Sequence, residues 1–160
     1  MIDHAMPTPR RPGLLSRLAV CALVGLALTS GAARAQAQGR FKIVVNAGNP
    51  VSSLTAAEAS RLFLKKTVRW SSGEAVYPVD LPEASSVRAA FSEAIHDRPV
   101  AAIKVYWQRQ IFAGQGVPPV EMTSDREVLE YVASTTGAIG YVSADAPVGD
   151  GVKIVPVRGS

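Results

Sequence analysis

Between Val76 and Phe91 the sequence changes its period within a few residues, and that change limits what the chain can fold into. Val76, Tyr77 and Val79 suit a short buried strand, and Asp80 and Pro82 end it. An amphipathic segment follows, with Val87, Ala90, Phe91 and Ala94 on one side. A strand that feeds a helix through a tight turn is the building unit of α/β architecture. Ser85 and Ser86 fall where the helix begins, so their hydroxyls share a small volume with unpaired amides and the positive end of the helix dipole. Arg88 lies in the first turn and carries a planar fork of donors that matches an oxyanion in two hydrogen bonds. Asp80 is a candidate acceptor for a protonated oxyanion. An N-cap serine and a solvated arginine account for the same residues without any ligand.

The remaining pattern agrees with strands separated by helices. Phe41 to Asn46 reads as a strand buried on both faces, ended by Gly48, Asn49 and Pro50. Thr55 and Glu58 form a capping box ahead of Ala59, Leu62 and Phe63, and Ser124 and Glu127 form a second one ahead of Val128, Leu129 and Val132. Trp70 reads as a packing anchor. Asp97, Arg98 and Pro99 interrupt the helical pattern, after which Val100, Ile103, Trp107 and Ile111 make a stripe that predicts a long core helix. Gly137 is placed to stop a helix, Ala138 to Val142 reads as a buried strand with Gly140 allowing close approach, and Pro156 suits a strand at a sheet edge. One α/β domain over residues 40–158 is expected, three-layered, with a mostly parallel sheet and helices on both faces.

Residues 1–35 read differently. Arg10, Arg11 and Arg17 precede an apolar run from Leu18 to Leu28, and Ala33, Arg34 and Ala35 supply a small-x-small cleavage signal. That is a secretory signal peptide, too short for a span of about 20 apolar residues, so no stable membrane insertion is expected after cleavage. Arg10 and Arg11 leave Sec and twin-arginine export both open. Cleavage after Ala35 removes four arginines and one aspartate, so the formal charge falls from +4 to +1. The basic balance therefore belongs mostly to the leader, and only Lys65, Lys66 and Arg69 form a small basic group, which excludes nucleic acid as a partner. The sole cysteine, Cys21, lies in the leader, so the exported part has neither a disulfide framework nor a thiolate metal site.

Catalytic and cofactor signatures are missing: there is no H-E-x-x-H, G-x-S-x-G, G-x-x-x-x-G-K or G-x-G-x-x-G. His4 and His96 do not form a ligand set, and no metal, cofactor or enzymatic activity is expected.

Taken in order, V-N-A-G-N-P-V-S-S-L-T from Val45, R-L-F-L-K-K from Arg61, P-V-D at 78–80, S-S-V-R at 85–88 and G-A-I-G-Y-V at 137–142 resemble the phosphate ABC transporter substrate-binding protein family. The resemblance implies a type II periplasmic binding protein fold, a periplasmic location, and phosphate or a related oxyanion held at a helix N-terminus by Ser85, Ser86 and Arg88, with Asp80 beside them. An ABC permease or a membrane sensor is the implied partner. Ala84 and Val87 stand where that family's turn has glycines, and the chain resembles one lobe of two, so binding is expected to be weak. The alternative is a single-lobe accessory or interaction protein that has lost transport ligand binding, which predicts an exposed apolar patch.

Overall fold

The computed structural model describes residues 40–159; the leader peptide read from residues 1–35 lies outside the described residues. Strand β1 (Phe41–Asn46) is deeply buried, with Ile43, Val44 and Val45 at 1% exposure or less. Its three consecutive β-branched residues tolerate burial on both faces, which is what a strand flanked by neighbours and covered by two helical layers requires. It pairs antiparallel with β5 (Ala138–Ser143) on one side and β6 (Val152–Val155) on the other. Beyond β5 lie β3 (Tyr77–Asp80) and then β4 (Val120–Glu121), both parallel to it, giving the order β4-β3-β5-β1-β6. Four of these strands therefore run in one direction and β1 alone opposes them. Leu54–Thr55 (β2) and Val157–Arg158 (β7) form a separate parallel pair. Neither β2 nor β4 was legible as a strand, because two residues carry no period, and the final strand, read from Val152 to Val157, is divided at Pro156 into β6 and β7.

Helices cover both faces. On one, α4 (Asp125–Ser134) presses Val128 and Val132 onto the sheet, and Gly140 makes room for it: a Cβ there would stand 2.6 Å from Val128 Cγ1 and 3.0 Å from Val79 Cγ2. Tyr141, the next residue, points to the opposite face, as strand alternation demands. Its ring stacks on Phe91 at 3.8 Å and 4°, with Phe63 and Phe41 set edge-on to Phe91 at 4.7 and 5.3 Å. These side chains belong to β1, β5, α1 (Ala56–Phe63) and α2 (Ser86–Phe91), so the aromatic cluster ties that layer together.

The predicted caps form. Thr55 N donates to Glu58 at 2.8 Å while Glu58 N donates to Thr55 Oγ1 at 3.2 Å, closing the box on α1. At α4 the Ser124 hydroxyl accepts from Glu127 N, but the Glu127 carboxylate reaches one residue further back, to the amide and hydroxyl of Thr123. Helix α2 runs on into a π-helical turn, Ser92–His96, which ends at Asp97 in the left-handed conformation (φ 57°). Ser92, almost fully buried, is satisfied by donating to Arg98 O at 2.7 Å.

Helix α3 (Val100–Phe112) corrects the expectation of a core helix. Ile103 and Trp107 are buried, yet neither joins the main core; Trp107 packs edge-on against Tyr106, which donates to Leu64 O. The stripe continues to Ile111 and Phe112, which are 51% and 91% exposed. Helix α3 rests on the π turn rather than on the sheet, so only its first two turns find apolar surface to cover.

Candidate functional site

The carboxyl ends of β3 and β4 and the start of α2 meet at one corner of the sheet. In open α/β sheets that end of the parallel strands, where helices begin, is where ligands settle. Ser85 is the N-cap of α2, and its Oγ accepts from Arg88 N at 3.3 Å. Ser86 is exposed, and its hydroxyl has no partner among the described residues. It opens onto a depression of about 300 Å³ lined also by Arg40, Val87, Ala144 and Asp145. The amides of Ser86 and Val87 are first-turn donors that the helix itself cannot pair.

Asp80 and Arg88 are brought together, but principally with each other. Arg88 Nη2 lies 3.0 Å from Asp80 Oδ2, and the two side chains are 13% and 14% exposed. Arg88 Nη1 donates to Leu81 O at 2.6 Å and to Glu121 Oε2 at 3.0 Å. The fork expected to stand open above the helix start is turned toward the end of β3, because a carboxylate buried there requires a cation. Asp80 Oδ1 accepts from Leu81 N and from the Tyr141 hydroxyl. Burial pushes the Asp80 carboxyl above its usual range, opposed by the Arg88 charge and by the Tyr141 and Leu81 donors. Burial, followed by the Asp80 charge, pushes the Tyr141 phenol up, so it stays protonated and donates.

Arg88 thus joins α2, β3 and β4, with one partner, Glu121, 54% exposed. Glu121 and Tyr141 were not singled out from sequence. A buried tyrosine does signal that its hydroxyl needs a polar neighbour, and Asp80 was the acid nearest a strand end. Glu121 carried no such signal, because the two residues of β4 carry no strand period. Arg40 next to Ser86 was also missed, since it precedes the first strand and nothing local points it at residues 46 positions away. Among the described residues no group of three or more His, Cys, Asp or Glu is placed to hold a metal, and no helix is long and apolar enough to cross a membrane.

The sheet order, with helices on both faces and a polar corner at the strand ends, defines a mixed α/β fold with a mostly parallel sheet. Solved structures that share it are phosphate-binding proteins. One assigned as a phosphate ABC transporter substrate-binding protein, from Clostridium perfringens and with bound phosphate, matches at TM-score 0.58 and 21% identity over 74% of this chain and 44% of its own. An ABC-type phosphate transport receptor from Vibrio cholerae matches at 0.57 and 21% over 75% and 46%, and PstS from Borrelia burgdorferi at 0.53 and 14% over 74% and 47%. At these identities the likeness establishes the fold. The chain spans less than half the length of each of these structures. No protein-family profile and no curated protein matches the sequence.

Proposed function

We propose that the chain is an exported, periplasmic, non-enzymatic solute-binding module that takes phosphate or a related oxyanion at the start of α2 and works with ABC-type phosphate uptake through a permease or a membrane sensor. The observation that carries this reading is the open helix start at the carboxyl end of β3, where the unpaired Ser86 hydroxyl faces a depression shared with Arg40. The Ser86 hydroxyl and the Ser86 and Val87 amides donate to the anion and Ser85 shapes the turn, while Arg88, held by Asp80 and Glu121, braces the strand ends behind it. The fold shared with phosphate-binding proteins supports the same ligand class.

Asp145 lines the depression as well, and the site is open to water, so each charge-assisted hydrogen bond contributes little and a dissociation constant on the order of a millimolar is expected. Calorimetric titration of the purified protein with inorganic phosphate checks this. Ser86 is exposed and its side chain makes no hydrogen bond among the described residues, so Ser86→Asp should leave the fold intact while its carboxylate abolishes the heat. No heat up to about ten times the expected constant, or an unchanged titration in the variant, refutes the reading.

A second reading, the single-lobe interaction protein, is favoured by the apolar residues left exposed around the end of α3 and β4. Phe112 is 91% exposed, Val117 63% and Val120 60%. If this face binds another chain, sedimentation of the protein alone or with a co-expressed partner should show a complex that Phe112→Asp dissolves. A species that remains monomeric and unpartnered before and after the substitution argues against it.

A further inference from the structure

A second polar cleft lies away from the α2 corner, between α1 and the turn at residues 67–71. It has a volume of about 350 Å³, within the range of small-molecule sites. Its floor is apolar: Leu54 and Leu62 are buried, and Trp70 is 7% exposed with its indole N–H fixed on Gly137 O at 2.9 Å. Its rim is cationic. Arg61, exposed on α1, has no side-chain partner among the described residues. Arg69 donates from Nη1 to Gly73 O at 2.8 Å across a turn closed by Trp70 N to Glu74 O and Gly73 N to Trp70 O. That bond immobilises the guanidinium and leaves its other edge free to donate.

One acid, Glu58, also lines the cleft, but its Oε2 already accepts from the amide and the hydroxyl of Thr55. The rim therefore presents two guanidinium groups against a single carboxylate that is engaged in a helix cap. Two planar forks above an apolar and aromatic floor match a molecule with an anionic head and an apolar body. Inorganic phosphate would leave the floor uncovered.

We infer that the cleft bounded by Arg61, Arg69 and Trp70 is a binding site for a small organic acid, its carboxylate or phosphate head held by the two arginines and its apolar part lying on Leu54, Leu62 and Trp70. The site is independent of the α2 corner, so either can fail without the other.

The test is two-dimensional nitrogen–proton NMR of the whole protein, in which the Trp70 and Trp107 indole signals are resolved and Trp107, on α3 and outside the cleft, is the internal control. Benzoate and phenyl phosphate are the probes, with phenol as the neutral analogue and inorganic phosphate as the anionic head without an apolar body. Both anionic probes should shift the Trp70 signal saturably and leave Trp107 unmoved, while phenol and inorganic phosphate leave Trp70 in place. Arg61→Ala, which removes a solvated side chain, should weaken both probes about tenfold, and Ser86→Asp should not change them. A Trp70 shift by phenol equal to that by benzoate, unaltered affinity in Arg61→Ala, or no shift by either anion overturns the inference. Movement of the Ser86 and Val87 amides with inorganic phosphate reports on the α2 site alone.

Discussion

Replacing Arg88 by alanine is expected to destabilise the fold by about 3–5 kcal/mol, because it leaves the Asp80 carboxylate buried without its cation. Three groups lose their donor together: Asp80 Oδ2, the Leu81 carbonyl and Glu121. The loss should be unequal among them. Glu121 is more than half exposed, so Glu121→Gln should cost under about 1 kcal/mol, as surface ion pairs do. Asp80→Asn in the Arg88→Ala background should recover a large part of the loss, since the uncompensated charge rather than the missing contact dominates. Urea denaturation of the four proteins gives the comparison. An Arg88→Ala midpoint close to that of the parent would show that Asp80 is solvated or protonated. The guanidinium would then have no buried charge to turn it inward.

This arrangement bears directly on what was legible in the sequence. The residues of the corner were: a strand ending at Asp80, a helix opening at Ser85 and an arginine one turn on all stand where the pattern put them. The direction of the arginine was not, because it is decided by two residues distant in sequence. Tyr141 and Glu121 are 61 and 33 positions from their partners, Asp80 and Arg88, and only folding makes them neighbours. Local physics, by contrast, reads well from local residues. The Thr55 and Glu58 box and the close approach of α4 at Gly140 each depend on a conformation or a size that few residue types satisfy, whereas Gly137 (φ 78°) does not stop α4, which ends at Ser134 with Thr135 as its C-cap, but turns the chain into β5. Helix α3 marks the limit of that reasoning. Its apolar stripe is real, but a stripe says only that a face can be buried, and for Ile111 and Phe112 the described chain supplies nothing to bury it against.

Acid should weaken the fold through His96, well before the carboxylates are protonated. The ring is held at a pKa of about 4, first by burial and then by the charges of Arg98, Arg88 and Lys66, and it lies edge-on to Phe91 with Nδ1 2.9 Å from Ser60 Oγ. The unfolded chain takes up its proton near pH 6.5 and the folded one only near pH 4, so stability is complete above pH 6.5 and falls as pH drops between those values. Integrated over that window, the loss is about 2 kcal/mol by pH 5 and about 3 kcal/mol by pH 4. Asp80 works in the opposite sense, because a carboxyl held above its usual range gains a proton in the fold before it does in the unfolded chain; this offsets part of the loss at the acid end. The comparison is therefore best made between pH 7 and pH 5. Urea unfolding at those two values should show the full drop in the parent and a flat response in His96→Gln, which removes the titrating ring. A parent whose stability is the same at both would mean that the ring is protonated in the folded state, and that the Ser60 hydroxyl accepts from it rather than donating to it.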